Sequence, residues 1–147
     1  MEYGFIITAA GRRILAGLLA GQTLTLSRIM VGKGNISSVE EMARLTDLVQ
    51  PVAEATSTVP AVSAEGDSVS FIVEYRSDLN GGLKEGFWLS EFGVFAQNPG
   101  RPEEDVLIYY ATLGDFPQYV CTYKNGANDI RRYPVTIAIA IGAEVEI

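Results

Sequence analysis

Residues Gly86-Phe87-Trp88-Leu89-Ser90-Glu91-Phe92-Gly93-Val94-Phe95 read as one β-strand led in by a glycine. Successive side chains of an extended chain point to opposite faces, so Phe87, Leu89, Glu91, Gly93 and Phe95 should share one face. Trp88, Ser90, Phe92 and Val94 should share the other. Aromatic residues on both sides predict an inner strand, or a strand whose second face meets a partner. Glu91 is thereby drawn toward the core, where a carboxylate must be paired or hydrogen-bonded. The expected partners are backbone N–H groups or an arginine, with Arg28 as the candidate. The competing reading is a general acid with a raised pKa. No second catalytic group accompanies Glu91 in the sequence, so the structural role is preferred. Trp88 is read either as a core residue or, more sharply, as an interface anchor.

Working outward toward the N-terminus, Thr8 is placed to cap a helix over about residues 9–20, with Gly21 after its end. Ile14, Leu15, Leu18 and Leu19 fall on one side of that helix, and Arg12 and Arg13 toward the other. Thr23 to Val31 reads as a strand with Leu24, Leu26 and Met30 on one face; Ile29 and Val31 break the alternation, which suggests burial on both faces near its end. Gly32-Lys33-Gly34-Asn35 is a turn in which glycine permits positive φ. Ser37 and Ser38 each stand three residues before a glutamate, a capping-box pattern that opens a short helix running to about Leu48. Pro51 ends it, and an extended stretch follows to about Ala64.

Toward the C-terminus, Glu65-Gly66-Asp67 turns the chain into a strand, Ser68–Arg76, with Val69, Phe71, Val73 and Tyr75 inward. Asp78 to Gly82 is a loop. Gln97 to Asp105 reads as a polar hairpin loop before a strand from Val106 to Leu113. Gly114 to Asp129 mixes the aromatics Phe116, Tyr119 and Tyr123 with turn residues. The last stretch, Tyr133 to Ile147, alternates Val135, Ile137, Ile139 and Ile141 against Thr136, Ala138 and Ala140, with the bulky set toward the core and the small set close to a neighbour. This order predicts an α+β fold: an N-terminal helix and a short second helix packed on a mainly antiparallel β-sheet, in a single domain spanning residues 1–147.

Composition narrows the chemistry. The net charge of −7 and scattered basic residues argue against a nucleic-acid phosphate binder. The apolar run after Arg12-Arg13 reads as an ordinary helix, and no run approaches the roughly 20 residues that span a bilayer. Cys121 is the single cysteine, so no internal disulfide forms and folding in a reducing cytoplasm is expected. With no histidine in the chain, Cys121 has no evident base and a transition-metal site lacks a ligand set. Gly32-Lys33-Gly34 lacks the spacing of a phosphate-binding loop. Glu40-Glu41 and Glu103-Glu104-Asp105 suit a helix start and a loop tip. No cofactor, metal or catalytic set is expected.

Taken in order, several segments resemble the phage tail-collar fibre family, the N-terminal, baseplate-attaching domain of tail fibres in contractile-tailed phages, prophages and tailocins. They are Ile7-Thr8-Ala9-Ala10-Gly11 with its helix, Leu26 to Gly34, Thr46-Asp47-Leu48 with Val52-Ala53, the Gly86–Phe95 strand, Leu107 to Leu113 and Val135 to Ile147. The resemblance covers nearly the whole chain. It departs from the family at Lys33, where the usual turn carries an acid, and in the longer loop at Gln97–Asp105. It implies a structural virion protein of the tail, assembled in the bacterial cytoplasm. Its partners would be a baseplate protein and a downstream fibre stalk, with a homotrimer in the complete fibre. Thr8, Gly11, Arg28, Gly32, Gly34, Trp88, Glu91 and Gly93 are expected to hold the fold, and Phe116, Tyr119 and Tyr123 are the candidate partner surface. Two rivals stand beside this reading. One is a carbohydrate- or receptor-binding module that stacks sugars on Tyr109, Tyr110, Tyr119 and Tyr123. The other is a small hydrolase built on paired carboxylates.

Overall fold

A computed structural model describes residues 4–17, 24–36, 38–98, 101–124, 128–138 and 145–146. It is an α+β structure in which strands dominate. The strands are β1 (Gly4–Ile7), β2 (Leu24–Gly32), β3 (Pro51–Ser57), β4 (Ala61–Val62), β5 (Ser68–Arg76), β6 (Phe87–Leu89), β7 (Glu91–Asn98), β8 (Arg101–Thr112), β9 (Gln118–Val120), β10 (Ile130–Ala138) and β11 (Val145–Glu146). The helices are α1 (Ala9–Gly17) and α2 (Val39–Ala43), with a 3-10 turn at Leu79–Gly81. The main sheet runs β1-β8-β7-β2-β3-β5-β10, with β4 on β5 and β11 on β2. Its described pairings are antiparallel except β11 with β2. β6 and β9 leave this sheet and pair only with each other, as a two-stranded ribbon.

Two apolar clusters form the core. The larger gathers Ile14 of α1, Ile29 and Val31, Phe71 and Val73, Phe92 and Val94, and Val135 and Ile137, among others. The smaller holds Met42 of α2, Leu48, Phe95, Leu107 and Tyr110. The two helices therefore serve different clusters. α1 can sit close because Gly11 lies over the Ile108 backbone, which any Cβ at that position would overlap. Thr8 caps α1 as expected: its hydroxyl accepts from Gly11 N–H (3.0 Å) and donates to the Leu107 carbonyl. One side chain thus fixes both the helix start and its docking on β8.

Several sequence expectations change. Phe5, Ile6 and Ile7 form an edge strand on β8, which the apolar run before the helix did not announce. α2 stops at Ala43 and does not reach Leu48. The Leu48, Val49 and Gln50 N–H groups are taken instead by the carboxylates of Asp47 and Glu91, an alternative to helical bonding. Ser38 accepts from Glu41 N–H at 3.4 Å and makes the cap; Ser37 lies outside the described residues. The expected loop at Gln97–Asp105 is largely strand, since β7 runs to Asn98 and β8 begins at Arg101, with a register shift between Gln97 and Asn98. Val135 and Ile137 face the core as expected, joined by Tyr133. Thr136 and Ala138 lie on the exposed face beside Ser70 and Ser68 of β5, with the Thr136 and Ser70 hydroxyls 3.0 Å apart. The expected helix end at residues 18–20 with Gly21, the strand start at Thr23, the turn residues Pro99-Gly100, and the continuation through Ile139 and Ile141 lie outside the described residues.

Candidate functional site

Glu91 opens β7 and is wholly buried. Its Oε2 accepts from the Gly34 and Gln50 N–H groups, both at 2.8 Å. Its Oε1 accepts from Val49 N–H at 2.9 Å and from the Tyr110 hydroxyl at 2.7 Å. Burial and the adjacent carboxylate push the Tyr110 phenol far above its ordinary range, so it remains a donor. Four donors converge on one carboxylate and tie β7 to the Gly32–Ile36 turn, to the Val49-Gln50 segment and to β8.

The glycines of the turn serve this carboxylate. Gly32 and Gly34 do not adopt positive φ, contrary to the sequence reading. They are required by close approach. A Cβ on Gly32 would lie 2.5 Å from both the Gln50 carbonyl and Glu91 Oε2, and one on Gly34 would overlap Val49 and Glu91. Gly93, two residues along β7 on the same face, leaves room for Leu48 and Leu107. Lys33 sits between the two glycines, and its N–H donates to the Gln50 carbonyl at 3.0 Å.

Arg28 does not reach Glu91. Across the β2–β7 pair it lies opposite Phe95, whereas Glu91 lies opposite Gly32. Four residues of strand separate them, roughly 13 Å at a rise of about 3.3 Å per residue. Arg28 instead lies over the Phe95 ring, 3.8 Å from its centroid, and donates through Nε to Asp105 at 2.7 Å. Partial burial alone would raise the Asp105 pKa. The hydrogen bonds from Arg28 and Ser27, with the Arg28 charge, outweigh it and hold this carboxyl below its usual range.

Ser90 separates β6 from β7 and resets the alternation. Phe87 and Leu89 join the larger cluster with Phe92 and Val94, not the face of Glu91 and Phe95. Trp88 consequently points outward and is 57% exposed, which excludes the core reading. It pairs in register with Tyr119 of β9, itself 43% exposed, and the rings meet edge to face with centroids 5.2 Å apart. Gly86 lies against the hydroxyl end of Tyr119 and the Val120 carbonyl, both of which a Cβ would overlap. The ribbon therefore has an apolar inner side, Phe87, Leu89 and Val120, and an aromatic outer side.

The ribbon is held by polar ties rather than by a wide sheet. Arg131 donates to the Tyr119 carbonyl (2.7 Å), Asp129 accepts from Cys121 N–H (2.9 Å), and Tyr133 donates to Gln118 at 2.5 Å. Ser77, fully buried, donates to Asn128 and accepts from Asp129 N–H, linking this region to the end of β5.

Of the three residues expected at a partner surface, Tyr119 joins Trp88. Phe116, 68% exposed, stands two residues before β9, and Tyr123, 41% exposed, packs beside Gly82. Neither makes a described ring contact with the pair. Tyr109 and Tyr110 are buried, which removes them from any sugar-stacking surface. Among the described residues no group of three or more Cys, Asp or Glu side chains is arranged to hold a metal ion. No described helix is long and apolar enough to cross a membrane. Compared with family models, curated proteins and solved structures, the chain matches none.

Proposed function

We propose that this chain is a non-catalytic assembly module that fixes a phage-type tail fibre to a baseplate protein, and that it docks through the outer side of the β6–β9 ribbon. The observation that carries the docking surface is Trp88, the sole tryptophan, exposed and braced edge-on by Tyr119. Exposed aromatic anchors on a rigid support are the side chains that dominate binding energy in protein interfaces. The identity of the partner comes from the resemblance in the sequence. Its segments supply Gly11 against β8, the Gly32 and Gly34 turn under Glu91, and the strand that carries Trp88. In this reading Glu91 is structural, because four donors already occupy its oxygens. The reading calls for no cofactor. It makes the chain a virion component with a downstream stalk and a trimeric complete fibre.

Co-expression with the product of the neighbouring baseplate gene tests the proposal. A complex should co-purify with the parent chain and be lost with Trp88→Ala and Tyr119→Ala, both exposed changes expected to leave the fold intact. Failure of the parent to bind at micromolar concentration would overturn the attachment reading. Undiminished binding by both variants would place the contact elsewhere. Clear hits on a glycan array that depend on Tyr119 or Tyr123 would favour the carbohydrate reading.

A further inference from the structure

A cavity of about 420 Å³ opens between β3 and the segment 79–84. Its apolar walls are Met30, Val52, Leu79 and Leu83, and Tyr75 and Lys84 add polar groups. Tyr75 is only 1% exposed, yet its hydroxyl takes part in no hydrogen bond with a described residue. Buried tyrosine hydroxyls ordinarily find a partner. Nor is this oxygen among the fully occluded unpaired atoms of the described residues, which are Ser57 Oγ, Arg76 Nε, Asp78 Oδ1 and Arg131 Nε. It therefore keeps contact with open space, and the cavity is a space that Tyr75 lines. Burial pushes the phenol upward, so at neutral pH it carries a proton to donate.

The wall opposite β3 is held in place. Asn80 adopts φ 56°, the one positive value at a non-glycine among the described residues, and its Nδ2 donates to the Glu54 carbonyl at 3.2 Å. This bond ties the 79–84 wall of the cavity to β3, with Asn80 in a left-handed conformation that asparagine adopts more readily than most other non-glycine residues. Lys84 is exposed at the rim and makes no ion pair with a described residue. A volume in the range of small-molecule sites, an apolar wall and two unspent donors describe a site for an apolar body with an accepting head.

We infer that this cavity binds a small amphiphilic carboxylate, its apolar part against Met30, Val52, Leu79 and Leu83 and its head on the Tyr75 hydroxyl and the Lys84 ammonium. The site is separate from the Trp88–Tyr119 face, and binding there can be tested on the chain alone, independently of attachment. Glu54 also lines the wall, so a cationic head is the competing outcome.

The test is an amide chemical-shift titration of the full chain with phenylbutyrate, phenylbutanol and phenylbutylamine, which share a body and differ in head. Phenylbutyrate should shift amides within residues 52–54 and 75–84 and bind more tightly than the other two. Tyr75→Phe, which keeps the ring against Phe87, should weaken it by about fivefold to tenfold, the loss of one hydrogen bond. Lys84→Gln, an exposed change that spares the fold, should also weaken it and serves if Tyr75→Phe does not fold. Absence of shifts in this region at millimolar ligand, preference for the amine, or unchanged affinity in the folded variants would overturn the inference.

Discussion

Glu91 concentrates more of the structure than any other single side chain. Hydrogen bonds to a charged acceptor contribute about 1.5–3 kcal/mol each, and a buried donor left without a partner costs about 1–3 kcal/mol. Glu91→Gln keeps the shape but turns an amide NH2 toward two of the four donors. It should therefore lower stability by about 3 kcal/mol or more in urea unfolding, a large share of the roughly 5–15 kcal/mol typical of a domain. A loss below about 1 kcal/mol would contradict the four-donor arrangement. The burial of Glu91 was legible from strand alternation, and backbone N–H groups were among its expected partners, but which groups supply them was not. Three of them are backbone N–H groups supplied by turns, and backbone groups carry no residue-type signal. Arg28 looked like the natural counter-charge until the β2–β7 register placed it beside Phe95. Its pairing with Asp105 has a pH consequence. Asp105 is depressed in the fold, so the pair contributes stability above the unfolded aspartate value of about 3.9, and that contribution is lost as pH falls through the folded value. Asp105→Asn should flatten the acid side of the stability–pH curve below about pH 4. An acid limb identical to that of the parent would count against the pairing.

Among the elements, types were easier to read than faces. The strands β2, β5, β7 and β10 and the helix α1 follow from their apolar periodicity, but two interruptions exchange faces. A register shift between Leu26 and Arg28 puts Leu24 and Leu26 with Ile29 and Val31, and sends Met30 to the other cluster. Ser90 does the same between β6 and β7. An irregularity of one residue inverts every later assignment, because the period of a strand is two. That is why alternation alone favoured Trp88 as a core residue, with the interface anchor as the sharper alternative, while the structure leaves it exposed. The ribbon it belongs to depends on the polar ties at its far end. Asp129→Ala removes the acceptor for Cys121 N–H and for Arg131. Hydrogen exchange in residues 118–123 should then rise by up to about tenfold, the equivalent of one lost hydrogen bond, while β7 and β8 keep their protection. A uniform rise across all strands would mean that the ribbon is no separate unit. The glycines divide in a similar way. Gly11, Gly32 and Gly34 are needed for close approach, so Gly34→Ala should destabilise through Val49 and Glu91 despite an ordinary φ.

For the molecule as a whole, the α+β class and the antiparallel sheet followed from the order of periodic segments. Topology did not: β1 is too short to announce itself, and β9 lies in a stretch where turn residues interrupt the aromatics. What emerges is a sheet-based body whose best-buried carboxylate is committed to holding turns together, with an aromatic ribbon held out on one side. The central claim is that this ribbon is where the attachment partner sits. Because Trp88 is the sole tryptophan, a chain labelled with fluorotryptophan gives a single fluorine resonance from the middle of the proposed contact. Titration with the purified baseplate protein should move that resonance from the position of a solvent-exposed indole to that of a buried one, with saturation at a fixed stoichiometry. A complex that forms while the Trp88 resonance stays at its solvent-exposed position would contradict the account.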